Sequence, residues 1–303
     1  EKTIFEYEDI KGEALAVPVS NINPYLVDAP DLVLEKRNQP ICIVPTISYG
    51  SMANDDGHLL LDKEQRNALI AAEPATAPYI RRYMGAQEFL NNAERWCLWL
   101  KDISPSLMRS SNELRHRIEA VRKFRASSNR EATRNLAATP SLFGEDRQPL
   151  KSYLLLPKVS SENRPYMPIG FMPSEVIANG SALTISDSGH YEMGVLQSKM
   201  HMAWMRAVAG RMKSDYQYSA QIVYNNFPWP DIPEKLEPNQ PQTPAHKAQT
   251  AIEKAAQAVL DARAQFPGSS LADLYDPLTM PPALLKAHQK LDAAVDAAYA
   301  LVG

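Results

Sequence analysis

The sequence is poor in the residues on which several functional classes depend. Its 303 residues include two cysteines, Cys42 and Cys97, which lack metal-ligand spacing and are expected to be buried apolar residues in a reducing cytoplasm. No apolar run approaches the roughly 20 residues that span a bilayer. No predicted strand ends in the glycine-rich turn that lets a backbone approach a nucleotide-like cofactor. The six histidines are scattered, and none has a second ligand one helical turn away. We therefore expect a cytoplasmic location and no membrane segment, bound cofactor or metal site in this chain.

Charge is distributed unevenly along the chain. The formal net charge is -3, but residues 109–164 carry 12 basic and 6 acidic side chains, whereas residues 1–108 carry 10 and 16. A basic centre between acidic flanks is typical of a localised nucleic-acid footprint, and solvated helices also produce such blocks. The apolar content of 45% is ample for a packed core.

Apolar spacing predicts helices in the first 210 residues. The first runs from Lys63 to Ala72 behind a capping Asp62. Ser111 or Asn112 is placed to cap a longer helix, whose arginines are expected on the sides away from its buried stripe. That stripe consists of Leu114, Ile118, Val121 and Phe124. A further helix is predicted from Met193 to Ala209.

Short apolar and aromatic runs predict strands in the same part of the chain. They cover residues 95–100, 152–159, 167–172, 182–186 and 216–223. We expect an α+β fold in which a mixed sheet is braced by the helices that begin near Ser111 and Met193. The first 60 residues are expected to be loops with one or two short strands.

Proline marks the last boundary along the chain. Residues 229–244 are rich in proline and are predicted to form a semi-rigid connector. Residues 245–266, capped by Thr243, and residues 282–301 are predicted to form an antiparallel helical hairpin. The expected organisation is a domain over residues 1–228 with a loop-rich entry segment over 1–60, the connector over 229–244, and a helical region over 245–303.

The segment Tyr224-Asn-Asn-Phe-Pro-Trp-Pro230 follows a basic, tyrosine-rich run, Arg211 to Ser219. Gln217, Asn225 and Asn226 carry the donor and acceptor pair that an adenine edge requires in the major groove. The alternative is that both asparagines bond to their own backbone and close a strand. The pattern predicts a DNA-reading module. The best candidates for phosphate or guanine contact are Lys158, Arg164, Arg211 and Lys213.

The longer helix carries a second set of cations. Arg122 and Lys123 belong to a group that covers more than one face, so this helix is a candidate to track backbone phosphates. The alternative is a solvated face on which Glu113 pairs with Arg117 and Glu119 pairs with Lys123. Each such pair contributes only about 0.2–0.5 kcal/mol.

Five motifs stand in order along the chain and carry a resemblance to a known family. They are Val159-Ser-Ser-Glu-Asn-Arg164, Tyr166-Met-Pro-Ile-Gly-Phe171, Met200-His-Met-Ala-Trp204, Gly210-Arg-Met-Lys-Ser-Asp-Tyr-Gln-Tyr-Ser219 and Tyr224-Asn-Asn-Phe-Pro-Trp-Pro230. Over nearly its whole length the chain resembles the C-terminal part of MmeI-like (Type IIL) DNA methyltransferases. The resemblance implies a domain that recognises double-stranded DNA, from a bacterial enzyme that methylates adenine N6 with S-adenosylmethionine and in some members carries an endonuclease. It also implies base recognition by Glu162, Thr184, Asp215 and Gln217. Tyr216 and Tyr218 alternate with Asp215 and Gln217 along the strand and are interpreted as core residues.

The catalytic motif of such an enzyme is missing from this sequence. An amino-methyltransferase of this kind needs an Asn or Asp, two prolines and an aromatic in succession, to hold a flipped base beside the methyl donor. Asn23-Pro24-Tyr25 has one proline too few. We therefore expect no catalytic residue here, and we expect S-adenosylmethionine to bind a methyltransferase core of the same polypeptide. The chain begins at Glu1 and reads as a fragment of that polypeptide.

Two other functional classes compete with DNA recognition as interpretations of the same residues. A protein-interaction or regulatory module of a restriction or phage-defence assembly would use the C-terminal hairpin and the methionine-rich helix as docking faces. A hydrolase would need a nucleophile and a base, but Asp187, Ser188 and His190 lack a nucleophile-elbow context and are better interpreted as a turn.

Overall fold

Helices occur throughout the described residues and predominate from Pro244 to Tyr299. The computed structural model describes residues 2–7, 9, 11–24, 26–31, 33–230 and 241–301. Its α-helices are α1 (Lys63–Ala72), α2 (Ala86–Asn91), α3 (Pro105–Ser110), α4 (Asn112–Ala126), α5 (Glu131–Asn135), α6 (His190–Leu196), α7 (Lys199–Val208), α8 (Pro244–Ala264), α9 (Leu271–Leu274) and α10 (Pro282–Tyr299). Within these ranges, no helix has the length and apolar content that crossing a membrane requires.

In the part of the chain that the structure describes, the strands form four small sheets. They are β1 (Lys2–Tyr7), β2 (Ala14–Val19), β3 (Ile47–Tyr49), β4 (Leu60–Leu61), β5 (Ile80–Met84), β6 (Trp96–Leu98), β7 (Tyr153–Pro157), β8 (Val159–Ser160), β9 (Gly170–Met172), β10 (Ile177–Ala178), β11 (Ala182–Ser186), β12 (Gly210–Met212) and β13 (Asp215–Gln217). The strand orders are β1-β2, β10-β5-β6-β4, β3-β11-β7-β9 and β12-β13-β8. Strand β10 runs parallel to β5, whereas β5 and β6 are antiparallel. The predicted α+β class with mixed strand directions is confirmed, although the strands are divided among separate sheets.

The first 60 residues contain more strand than the sequence indicated. Strands β1 and β2 pair along their whole length as an antiparallel hairpin, from Lys2 opposite Val19 to Tyr7 opposite Ala14. Strands β3 and β4 follow within or at the edge of the same region. The expectation of one or two short strands was therefore too low, because alternation across a two-stranded hairpin is weak when neither face is buried.

Side-chain caps begin α1 and α4 at the expected positions. The carboxylate of Asp62 accepts a bond from Gln65 N at 2.8 Å, and the hydroxyl of Ser111 accepts one from Leu114 N at 3.0 Å. Both satisfy backbone donors that the first helical turn leaves unpaired. The predicted starts of both helices are confirmed.

The buried stripe of α4 differs from the prediction at one position. Leu114, Ile118 and Val121 are buried, but Phe124 is 37% exposed and Arg125 is completely buried in its place. The spacing of four, three and four residues keeps Arg125 on the same face, whereas Phe124 is displaced from it by about 100°. The expectation that every arginine lies away from the core was wrong for this residue.

The guanidinium of Arg125 is bonded to backbone carbonyls of two segments, residues 53–54 and residues 136–142. It donates five hydrogen bonds of 2.7–3.0 Å, one for each of its N–H groups, so no donor is left unpaired. The acceptors are the carbonyl oxygens of Ala53, Asn54, Leu136, Thr139 and Leu142. Burial lowers the pKa of Arg125, and the nearby carboxylate of Asp55 opposes that shift.

A single helix over residues 193–209 was predicted, but the chain forms two. Helix α6 ends at Leu196, and α7 begins at Lys199 after Ser198, whose hydroxyl accepts a bond from His201 N at 3.2 Å. The hydroxyl of Ser198 also donates to Val195 O at 2.7 Å. The apolar period continues through the break, so periodicity alone did not reveal it.

The strand predicted over residues 216–223 ends early. Strand β13 stops at Gln217, and residues Ala220–Tyr224 form one turn of π-helix capped by Ser219. The hydroxyl of Ser219 accepts a bond from Ile222 N at 3.2 Å. Val223 and Tyr224 are buried, but in a helical turn and not in the predicted strand.

The C-terminal helices form the predicted antiparallel hairpin and share a core with the sheets. Leu291 and Val295 of α10 and Ile252 of α8 belong to the same buried cluster as Leu154 of β7 and Met205 of α7. Thr243 caps α8 with Pro244 at its first position, which confirms that helix start. Residues 231–240 of the predicted connector lie outside the described residues.

Buried polar contacts join α10 to the rest of the molecule. The hydroxyl of Tyr166 donates to Asp292 Oδ2 at 2.7 Å, and Lys199 N donates to Asp292 Oδ1 at 2.8 Å. The ring of Tyr166 stacks on His288 with centroids 4.0 Å apart. Burial raises the pKa of Asp292, while its hydrogen bonds from Lys199 N and Tyr166 oppose the shift. These contacts orient α10 more specifically than apolar packing alone.

Candidate nucleic-acid interface

The β8–β12–β13 sheet joins two segments that are distant in the sequence. Strand β13 lies in the middle, with Tyr216 opposite Ser160 of β8 on one side and Arg211 of β12 on the other. Gln217 likewise lies between Val159 and Gly210. The segments containing Glu162 and Asp215, both chosen from sequence, are therefore neighbours in space.

Alternation along β13 separates core residues from polar residues. Tyr216 and Tyr218 are buried, whereas Asp215 and Gln217 are partly exposed. The hydroxyl of Tyr218 is hydrogen bonded to His201 Nε2 at 2.9 Å, and burial lowers the pKa of His201 to about 3, so its ring is neutral near pH 7. The core thus fixes one face of β13, and Asp215 and Gln217 project from the other face. The predicted core positions of both tyrosines are confirmed.

Arg211 and Glu162 meet across this sheet. The guanidinium carbon of Arg211 lies 3.9 Å from the ring centroid of Tyr216, and Arg211 Nη1 donates to Ser214 O at 3.0 Å. The same Nη1 lies 4.0 Å from Glu162 Oε2. An ion pair of this length between partly exposed side chains contributes about 0–1 kcal/mol. Exchanging it for contacts to a ligand therefore costs little.

The other predicted cations occupy different depths. Lys213 is exposed at the turn between β12 and β13, with a left-handed φ of 58°. Arg164 is half-buried, with Nη1 donating to Ser160 Oγ at 3.4 Å; burial lowers its pKa, and the charge of Asp215 opposes that shift. Lys158 Nζ lies 5.3 Å from the ring centroid of Tyr49. Lys158 is also tied through its carbonyl, which accepts a bond from Tyr218 N at 2.8 Å.

Thr184 is not brought to this surface. It lies in the middle of β11, opposite Leu155 of β7 and Ser48 of β3, and is 2% exposed. A side chain at that depth has no access to a base edge without movement of the sheet. Thr184 is therefore buried, whereas Glu162, Asp215 and Gln217 are partly exposed.

Asn225 and Asn226 hold a loop instead of facing solvent. Both are buried. Asn225 Nδ2 donates to Arg37 O at 2.8 Å, and Asn226 Nδ2 donates to Glu35 O at 3.0 Å. Arg37 Nε donates in return to Asn226 Oδ1 at 2.9 Å. The interpretation of these asparagines as adenine readers was wrong. The backbone-bonding alternative was correct in kind, although several of the bonds reach a distant segment.

Arg122 and Lys123 lie in another part of the fold. Both are exposed on α4, whose buried residues belong to a cluster with Trp96 and Leu98, separate from the cluster that contains Tyr216 and Tyr218. Arg122 Nη1 lies 3.6 Å from Glu119 Oε2. The alternative pairing of Glu113 with Arg117 is present at 2.7 Å, whereas Glu119 pairs with Arg122 instead of the predicted Lys123.

The remaining polar motifs have structural partners. Ser188 Oγ donates to Ile185 O at 2.8 Å, and Asp187 has a left-handed φ of 53°, as expected for a turn. Across the part of the chain that the structure describes, no group of three or more His, Cys, Asp or Glu side chains could hold a metal ion. Cys97 is buried as expected, whereas Cys42 is only half-buried.

An α+β core that presents a small sheet of mixed acidic, amide and basic side chains defines a binding module. Residues 28–231 match the family model of the MmeI target recognition domain, and residues 244–302 match that of the MmeI C-terminal domain. The chain therefore belongs to the MmeI target recognition domain family, with the C-terminal domain of MmeI following it.

Two relatives give the extent of the similarity. DNA methyltransferase A of Bacillus subtilis (strain 168) is 37% identical over 281 residues, which are 93% of this chain and 30% of that protein. A solved structure of the Type IIL restriction-modification enzyme MmeI in complex with DNA is 46% identical, with a TM-score of 0.90, and the match covers 100% of this chain and 39% of that chain. The chain thus spans well under half the length of either relative.

Proposed function

We propose that this chain selects a specific sequence in double-stranded DNA for a methyltransferase that modifies adenine N6 with S-adenosylmethionine. The observation that carries the proposal is the β8–β12–β13 sheet, which holds Glu162, Asp215, Gln217 and Arg211 together beside Lys213. The relationship to MmeI, solved in complex with DNA, supports it.

The side chains of this sheet match the chemistry of base edges. Gln217 carries a donor and an acceptor suited to adenine, and Glu162 or Asp215 can accept a bond from the amino group of cytosine. Arg211 can donate two bonds to guanine or neutralise a phosphate. Because the Glu162–Arg211 pair is long and partly exposed, either partner can be released to a base at small cost. Lys213, Lys158 and Arg164 are proposed to contact the phosphate backbone.

Methyl transfer is proposed to take place outside this chain. The sequence lacks the Asn- or Asp-Pro-Pro-aromatic motif that holds a flipped adenine, and the buried side chain of Asn23 accepts a bond from Val27 N at 3.2 Å. We infer that this chain itself is not catalytic. Its role is then to place one adenine in the active site of a methyltransferase core on the same polypeptide.

Salt dependence tests the binding part of the proposal. If four cations each neutralise one phosphate, affinity for a duplex should fall about 100-fold between 50 and 200 mM salt. Fluorescence anisotropy with a labelled duplex measures this. Lys213→Ala should reduce the slope of log affinity against log salt by about one. The matched control is Lys123→Ala on α4, which should leave the slope unchanged.

Sequence selection tests the base-reading part. Gln217→Ala should relax the preference at one base pair by about 1–3 kcal/mol, measured by selection from a randomised duplex library. Thr184→Val should leave the selected sequence unchanged, because Thr184 is buried. Failure of the unmodified chain to bind any duplex at low salt would contradict the whole proposal. A changed preference in Thr184→Val would show that the sheet opens on binding.

A further inference from the structure

The N-terminal hairpin, formed by β1 and β2, has an apolar face that nothing in the described chain covers. Phe5 and Tyr7 are 59% and 56% exposed. Their cross-strand partners on the same face are Ala16 and Ala14, which are also exposed. None of the three buried clusters of the described residues contains a side chain from residues 2–19. Lys2 Nζ, which donates to Asn21 Oδ1 at 2.6 Å, joins the hairpin to the residues that follow it.

A hairpin of this kind needs a covering surface to be stable. An isolated two-stranded hairpin is at best marginally stable in water, because two strands bury too little apolar area to offset the ordering of their backbone. The apolar exposure also continues along the chain. Of the large apolar side chains that are exposed among the described residues, those before residue 45 are Phe5, Tyr7, Leu15, Leu26, Val27, Val33, Ile41 and Ile43. Apolar exposure concentrated in one segment is typical of a docking surface.

The charge of the N-terminal segment indicates which kind of partner can cover the apolar face of the hairpin. Residues 1–35 carry eight acidic and two basic side chains. A segment with this excess of acidic side chains repels DNA phosphates, so the hairpin is not suited to the ligand proposed for the β8–β12–β13 sheet. A second copy of the same hairpin would place acidic groups against each other. The complementary occupant is a protein surface with an apolar centre and basic surroundings.

We propose that the Phe5 and Tyr7 face of the N-terminal hairpin packs against the methyltransferase part of the same polypeptide and fixes the position of the DNA-reading module relative to it. The relatives offer such a part, because the matched region is 30% of DNA methyltransferase A and 39% of the MmeI chain. This inference rests on the proposed function in one respect, that the chain is one portion of a longer methyltransferase.

Docking of the hairpin can be tested by measuring amide hydrogen exchange in the isolated chain and in the full-length gene product. In the isolated chain the amides of β1 and β2 should exchange nearly as fast as those of an unstructured peptide. In the full-length protein they should exchange about 100-fold more slowly, because opening then requires loss of the docked surface. Equal rates in the two proteins would overturn the proposal. Slowing in the isolated chain on added duplex would overturn it in favour of DNA, and slowing with rising protein concentration would overturn it in favour of a second copy.

Matched variants identify the face. Phe5→Ser with Tyr7→Ser should remove most of the protection in the full-length protein. Glu6→Ser with Leu15→Ser, which changes a facing pair on the opposite side of the hairpin, should retain it. Equal loss in both pairs would contradict docking through the Phe5 and Tyr7 face. Duplex affinity of the isolated chain, measured on the same variants, should not change. Failure of DNA binding in the unmodified chain would instead count against the proposed function and leave the exchange result to stand.

Discussion

Individual buried polar residues determine much of the specificity of this fold. Arg125, His201, Asn225 and Asn226 are all buried, and each bonds to another segment of the chain or to a neighbouring helix end. Removing one partner from such a contact leaves the other buried and unpaired, which costs more than the contact contributes in net terms. Substitution of these residues therefore tests directly how much the buried polar contacts contribute to the stability of the fold.

Arg125→Met should lower the free energy of unfolding by about 3 kcal/mol, because five carbonyl groups, one in a buried contact and four in partly buried contacts, each lose a donor. Urea unfolding followed by circular dichroism measures the change. Arg122→Met is the matched control on the same helix and should change stability by less than about 0.5 kcal/mol. Similar losses in both variants would show that helix charge, and not the carbonyl contacts, is responsible.

His201→Gln should alter the pH dependence of stability. Burial lowers the pKa of His201 from 6.5 to about 3 in the folded state, so the unfolded chain binds the proton first as pH falls. The stability associated with the neutral ring is complete above pH 6.5 and is lost as pH falls towards the folded pKa. Below 6.5 the wild type should lose about 1.4 kcal/mol per pH unit relative to the variant. Unfolding free energies measured from pH 7 to 5 test this, and parallel curves for the two proteins would contradict it.

At the scale of elements, the packing of α6 against α8 depends on a glycine. A Cβ on Gly194 would lie 2.7 Å from Ile252 Cγ2 and 3.1 Å from Leu291 Cδ1. These helices belong to regions that the sequence assigned to different parts of the chain. Because α6 and α8 approach closely, α8 and α10 pack in the same hydrophobic core as strands β7 and β11.

Gly194→Ala should lower the melting temperature, because overpacking costs about 1–3 kcal/mol and exceeds the gain of up to about 1 kcal/mol in helix propensity. Gly268→Ala is a suitable control, since a Cβ there would meet nothing within 4 Å. Calorimetry of both variants provides the measurement. A stabilised Gly194→Ala protein would mean that α6 and α8 can separate slightly without loss of packing.

At the scale of the whole molecule, the DNA-reading sheet and the C-terminal helices are joined by one core. Tyr216 and Tyr218 of the sheet region share a buried cluster with Leu291 and Val295 of α10. The buried bond between Tyr166 and Asp292 adds a directional contact between the same parts. The C-terminal helices therefore support the surface that is proposed to bind DNA.

Deleting residues 231–303 should abolish cooperative unfolding of the remaining chain. The residues of the sheet region that pack against α8 and α10 in the shared cluster would then be exposed to water. Deleting residues 1–19 is the matched control and should preserve a cooperative transition. Near-ultraviolet circular dichroism during thermal unfolding distinguishes the two. A cooperative transition in residues 1–230 alone would show that the sheet region is an independent folding unit.

Much of the local structure was accessible from the sequence. Asp62, Ser111 and Thr243 begin helices as predicted, because a side-chain cap acts within one turn of the residue that carries it. The alternation of Tyr216 and Tyr218 with Asp215 and Gln217 was also predicted correctly. At α4 a step of three or four residues after Val121 reaches Phe124 or Arg125. The residue type favoured Phe124, since a buried arginine is rare unless every donor has a partner.

The sequence by itself determined the class of fold, the starts of α1, α4 and α8 and the family of the chain, since these follow from caps, periodicity and motifs that act over a few residues. Only the tertiary structure decided that Asn225 and Asn226 hold the loop at residues 35–41, that Thr184 is buried, and that Glu162 meets Arg211. Each of these depends on contacts between residues far apart in the chain. A side chain's exposure and partner are properties of the packed molecule, and no local pattern specifies them.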